Sequence, residues 1–322
     1  MKQFKTVGAR RFGFAFVALA LLAGCEPADE RAQEHLQSGL ELAKSGDNAR
    51  ALLEFREAVR LNENLTEAYN AIARIRESEG NMQSAVAHYL KAIESDESNV
   101  EARVRLGRIM SAAGQLDEAL KYAMAAAQLA PDNVDALTLR ATVGVQVENY
   151  DLAAESANRA LTLDPNSAEA EIVLAAISEH KGDKAGARAR IDGALEKSPD
   201  NLALNLFKLR LLAANKDDQD QIPVILERLA RLYPQNDQFH IGLVRWHISK
   251  NNIDEAEKAV RAYAAAKPES VKAALAVVSF LQQRRSVEAA RAELNSQIAK
   301  RGDTAEAFEF EMALVRLELA DG

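Results

Sequence analysis

The chain has one cysteine in 322 residues, Cys25. Without a second thiol no intrachain disulfide can form, so the folded part depends on packing alone. The five histidines, His35, His88, His180, His240 and His247, stand far apart or off the spacing that puts two on one helical face with a carboxylate. The zinc-protease helix motif is therefore absent and no metal site is expected. The chain also lacks a glycine-rich phosphate loop ending in Lys-Ser or Lys-Thr, and a Gly-x-Ser-x-Gly elbow. Gly182-Asp183-Lys184-Ala185-Gly186 falls at a turn that needs no phosphate to explain it. Asp and Glu are abundant, but paired carboxylates become acid and base only where a pocket drives their pKa values apart. Solvated helix faces do not do that, so the sequence predicts no catalytic residue and no cofactor.

Positive charge is scarce as well. Beyond residue 24 there are 36 Lys and Arg against 48 Asp and Glu, a balance of −12. That disfavours nucleic acid as a partner and leaves anionic lipid headgroups repelling the body of the protein. No Gly/Ser-rich or Pro-rich linker divides the chain, so one continuous array is expected. The uncharged run from Phe12 to Ala23 falls short of the roughly 20 residues that span a bilayer.

That short run follows Lys2, Lys5, Arg10 and Arg11, and residues 1–24 read as a signal peptide for general secretion. It ends in Leu22-Ala23-Gly24-Cys25, which resembles the lipobox of bacterial lipoproteins. The resemblance implies that the Cys25 thiol carries a diacylglyceryl group and that cleavage frees its amine for acylation. Each buried methylene of such an anchor contributes about 0.8 kcal/mol, and two chains or more hold stably. Glu26 and Pro27 follow the cysteine where Asp would favour inner-membrane retention in that family. The implied location is the periplasmic side of the envelope, with the outer membrane favoured. Residues 25–31 are expected to be a tether reaching a first helix near Arg31 or Ala32, within about 20–25 Å of the bilayer.

What the chain has in quantity is repetition. Ala51, Ala85, Ala119, Ala153 and Ala187 lie 34 residues apart, and so do Ala58, Ala92, Ala126, Ala160 and Ala194. Gly39 and Gly46 precede the first pair of alanines, and Gly107 and Gly114 precede the third. Pro131, Pro165, Pro199, Pro234 and Pro268 punctuate the rest. Small residues suit close helix approach, Gly suits a left-handed helix end, and Pro is expected to open the next helix. The pattern resembles the tetratricopeptide repeat (TPR), with small residues at repeat positions 8, 15, 20 and 27, an aromatic at 24 and Pro at 32. The resemblance implies an all-α fold, a right-handed superhelical solenoid of antiparallel helix pairs with about eight repeats and a final helix. Five units match over residues 32–199, and degenerate units fill 200–303. Glu148 replaces a turn glycine, while Ala123, Ala157 and Ile191 replace the aromatic. Lys216-Asp217-Asp218-Gln219-Asp220 predicts a longer turn in the sixth unit.

Residues 304–322 form the last helix, roughly Thr304 to Leu319, with two apolar stripes. Phe308, Met312, Val315 and Leu319 make one stripe, and Phe310, Leu314 and Leu317 make the other. A helix apolar on both sides wants neighbours on both sides, so the array continues, or this end docks a partner or another copy.

In tetratricopeptide arrays the first helix of each pair lines the concave groove. Mapped onto this sequence, Asn70, Arg74, Arg105 and Arg108 are placed to grip a carboxylate, because Arg offers a planar pair of donors and Asn can orient a backbone amide. This set loosely resembles the carboxylate clamps of chaperone-binding repeat proteins, although Leu36 and Leu40 stand where those clamps place Lys and Asn. The alternative is a solvated helix face with compensating charges. Further on, Thr142, Val145, Ile172 and Ala176 are expected to make the groove more apolar, suiting an extended peptide or a partner helix. Phe55, Tyr69 and Tyr89 are read as packing residues. The expected function is that of a lipid-anchored periplasmic scaffold for protein partners, similar to the tetratricopeptide lipoproteins of exopolysaccharide-export and protein-sorting systems. The alternatives are the front of a longer repeat protein, enzyme or transport component, and a pilus-assembly or cell-wall-binding lipoprotein.

Overall fold

A computed structural model describes residues 27–214, 219–302 and 304–321. Cys25 and the expected signal segment lie outside the described residues, as do residues 215–218 of the long turn expected in the sixth unit. Among the described residues all regular structure is helical, in seventeen helices. The first four pairs are α1 (Ala28–Lys44) with α2 (Asn48–Leu61), α3 (Thr66–Ser78) with α4 (Met82–Ser95), α5 (Val100–Ala112) with α6 (Leu116–Leu129), and α7 (Val134–Gln146) with α8 (Tyr150–Leu163). Next come α9 (Ala168–His180) with α10 (Lys184–Lys197) and α11 (Leu202–Ala214) with α12 (Gln221–Leu232). They are followed by α13 (Asp237–Ser249) with α14 (Ile253–Ala266) and α15 (Val271–Arg284) with α16 (Val287–Arg301), and α17 (Ala305–Asp321) stands last. The chain gathers into two compact units, dividing after Arg159 inside α8. Each unit is built from such pairs.

Two kinds of turn, each closed by its own backbone, create the pairs. Within a pair, Gly46 takes φ +85°; its N–H donates to the Ala43 carbonyl and the next N–H, of Asp47, to Leu42. This is a Schellman ending, and Asp47 at once caps α2 by accepting from the Arg50 N–H at 3.1 Å. The same bonds recur at Gly80, Gly114 and Gly182. Glu148 and Asn251 adopt this left-handed geometry without being glycine, at φ 58° and 59°.

Between pairs, the prolines do not open helices as expected. Pro131 lies three residues before α7, at the second position of a turn closed by the Asn133 N–H on the Ala130 carbonyl. The fixed φ of Pro suits that position, and Asn133 then serves as the cap, accepting from Ala136 at 2.9 Å. Ser167, Asn201, Asn236 and Ser270 repeat this cap two residues after their prolines. The first helix also starts earlier than expected, at Ala28, so most of the 25–31 tether is helical. Ala28, Asp29, Glu30 and Arg31 carry no helix-breaking residue, and the acidic pair faces the positive end of the helix dipole.

Packing follows the 34-residue frame. Ala51, Ala85, Ala119, Ala153 and Ala187 are fully buried, as are Phe55 and Tyr89. Gly39 is required: a Cβ there would lie 2.5 Å from the Phe55 ring. Where the aromatic is lost, Ala123 is still fully buried and shares one cluster with Leu139 and Val143 of α7. The last helix buries Phe310 and Leu317 against its unit and leaves its second stripe exposed, so both expected faces are present.

Candidate partner-binding face

In the first unit the first helices of successive pairs present equivalent positions side by side. Asn70 and Arg74 come from α3, Arg105 and Arg108 from α5, and Thr142 and Val145 from α7. The structure joins the first two sets through carboxylates of the chain itself. Arg74 donates from Nη1 to Glu101 Oε1 at 2.7 Å, and Arg108 from Nη2 to Asp135 Oδ1 at 2.7 Å. Asn70 Nδ2 reaches Glu101 Oε2 at 3.5 Å, and Arg105 Nη1 stands 3.6 Å from Glu77 Oε1. Each of the first two rungs links an Arg to an acid 27 residues later, one helix along. The next residue of the same frame, on α7, is Thr142, which carries no cation.

These guanidiniums are thus engaged by side chains of the next pair, not held open for a ligand carboxylate. Arg74, Glu101 and Arg108 are roughly two-fifths exposed and Asp135 more, and such solvated pairs contribute only about 0–1 kcal/mol. A ligand carboxylate can displace Glu101 or Asp135 at little cost, and a ligand cation can displace the Arg. Asn70 is buried, and its Oδ1 has no hydrogen-bond partner among the described residues. An unsatisfied buried oxygen costs about 1–3 kcal/mol, so a donor brought to it would be favoured. On α7, Thr142 is exposed and Val145 half-buried, next to the buried Val143. Ile172 belongs to α9 of the second unit, where it is half-buried against the cluster of Ala168, Ala175 and Ile191.

A contact not foreseen from sequence braces this face. Tyr89, read as a packing residue, is fully buried and donates its hydroxyl to Glu77 Oε2 at 2.8 Å. Burial, then the hydrogen bond to Glu77 and its charge, pushes its ionisation far above the ordinary tyrosine range. The signal was available: the first helix pair has Phe55 at the aromatic position and Ala43 at the acid's, whereas the second pair has Tyr89 and Glu77. Hydroxyl and acceptor arrive together. Among the described residues no group of three or more His, Cys, Asp or Glu could hold a metal ion, and no helix is long and apolar enough to cross a membrane.

Family models of the tetratricopeptide repeat match residues 36–100 and 76–143. No curated protein matches the sequence. Among solved structures, Pseudomonas aeruginosa pilF aligns at 23% identity over 66% of this chain and 97% of its own, with a TM-score of 0.53. A tetratricopeptide repeat protein from Parabacteroides merdae aligns at 13% identity over 78% of this chain and 99% of its own, with a TM-score of 0.55. Yeast Tom70 aligns at 19% identity over 93% of this chain and 66% of its own, with a TM-score of 0.56. Those likenesses carry the fold, and the family models identify tetratricopeptide repeats within residues 36–143 of this all-α repeat solenoid.

Proposed function

We propose that this chain is a lipid-anchored scaffold of the bacterial cell envelope, facing the periplasm, whose first unit holds an extended segment of a protein partner along α3, α5 and α7. Repeat proteins of this family serve protein interactions in general. The observation that carries the reading is the row of half-exposed Arg–carboxylate rungs next to the exposed Thr142 and half-buried Val145. Such a row offers exchangeable charge and an apolar step at helix-to-helix spacing, which suits a chain laid across the helices. The anchor rests on Leu22-Ala23-Gly24-Cys25 and on the lack of any other cysteine. An export, exopolysaccharide or sorting system of the outer membrane is the setting that fits such a protein.

The test is crosslinking in the intact envelope followed by identification of the captured proteins. Arg74→Glu combined with Arg108→Glu should lower capture of a defined partner about tenfold or more. Thermal unfolding should barely move, because solvated pairs contribute little. Unchanged capture would sink the groove reading, and sedimentation with purified peptidoglycan instead would point to cell-wall binding. Labelled fatty acid should enter the wild-type chain and not Cys25→Ser; label in both would remove the anchor from Cys25.

A further inference from the structure

Among the described residues none covers the outer stripe of α17. In the preceding pair, the residues at the same register of the repeat are Ala274, Val278 and Leu281 of α15, and they are 5%, 7% and 3% exposed. Their counterparts Phe308, Met312 and Val315 are 57%, 36% and 51% exposed, and Leu319 beyond them is 79% exposed. Elsewhere these positions face the second helix of their own pair: Tyr69 meets the ring of His88, and a Cβ on Gly144 would lie 3.1 Å from Ala153. The face is therefore shaped for a helix running antiparallel to α17.

We infer that the occupant is α17 of a second copy of this chain, related by a twofold axis between Ala313 and Leu314. The stripe has 4-3-4 spacing, the heptad seam of paired helices, and it is symmetric about that point. Phe308 mirrors Leu319 and Met312 mirrors Val315, so one antiparallel overlay fills every layer from both sides. The charges beside the seam agree. Glu309 and Arg316 are both exposed and neither has an ion pair among the described residues. The twofold axis brings each to the other across the seam, twice. On the opposite flank Glu311 approaches Glu318, whose charge is already met by Arg291 through bonds of 2.6 and 3.0 Å. A self-complementary patch of this kind is what a twofold interface requires. Two such stripes bury on the order of 800–1,000 Å² in total, below the roughly 1,200 Å² at which standard stable interfaces begin. The dimer is thus one that forms at high local concentration and dissociates on dilution.

The pairing is independent of what the first unit binds. It is tested on the full chain by sedimentation velocity over a hundredfold concentration range, in the form the producing cell yields. A monomer–dimer equilibrium is expected, lost in Val315→Glu with unchanged helicity and thermal midpoint. Arg316→Glu should weaken the dimer at least severalfold, and adding Glu309→Arg to it should restore the dimer. On mixing Met312→Cys with Val315→Cys under oxidation, the mixed disulfide should exceed both homotypic ones. A chain monomeric throughout, dimers that survive Val315→Glu, or predominant 312–312 crosslinks would each overturn the inference.

Discussion

A methyl group is all that the seam between α5, α6 and α7 admits at Ala119, which is fully buried beside Val104, Ala136 and Val143. Ala119→Leu should therefore lower stability by about 1–3 kcal/mol through overpacking, measured by chemical denaturation. An unchanged midpoint would mean that the 34-residue register is misplaced. His240 is a second residue whose surroundings decide its behaviour. It is buried against Tyr263, its ring centroid 5.2 Å away, and its Nε2 lacks a hydrogen-bond partner among the described residues. Burial, helped by the Lys267 charge and opposed by Asp237, holds its pKa below the ordinary value of 6.5. Asp237 itself is held well below the carboxylate range by Lys267 and Lys272. The unfolded chain then binds a proton at His240 more readily than the folded one, so stability falls as pH drops below about 6.5 and levels off below the folded pKa. His240→Gln should flatten that fall in denaturation midpoints taken between pH 7 and 5, and an unchanged slope would place the titrating group elsewhere. The sequence marked His240 only as an isolated histidine, because its neighbours come from α14 and from the turn before α15.

Helix ends show how far local chemistry can be read. Gly46, Gly80, Gly114 and Gly182 were legible as left-handed endings because no other residue enters that region so cheaply. Glu148 was legible as a departure, and the structure shows that the backbone keeps the same turn at φ 58° regardless. A non-glycine residue in this region costs roughly 1–2 kcal/mol. Glu148→Gly should accordingly raise stability by about 1 kcal/mol, seen as a higher thermal midpoint, with no gain if the turn has relaxed. The prolines were placed correctly and assigned the wrong task. Spacing shows that Pro131 lies near a helix start, but only the backbone bond from Asn133 to Ala130 distinguishes a preceding turn from a first helical residue. The start of α1 escaped for a related reason: the apolar period begins at Ala32, yet Ala28 to Arg31 extend the helix without contributing to it.

For the whole molecule, periodicity disclosed the helix pairs and the faces they expose. The division after Arg159 was invisible, since Asn158, Arg159 and Ala160 continue one helix with no change in composition. The candidate face was half legible. Residue types on α3 and α5 showed where the guanidiniums stand, while their engagement by Glu101 and Asp135 depends on how neighbouring helices are staggered. Charge complementarity inside the chain and toward a ligand look alike in sequence.

The self-closed turns have a further consequence. The backbone turn and the Asn cap at the junction before α5 and before α7 are each made within a few residues of it. Both junctions read Asn-Val, at Asn99-Val100 and Asn133-Val134. Excising residues 100–133 would join Asn99 to Val134 and recreate the same step, cap included. Duplicating them would do so as well. The reach of this protein is adjustable in whole increments of one helix pair, by splicing events that need invent no new joint.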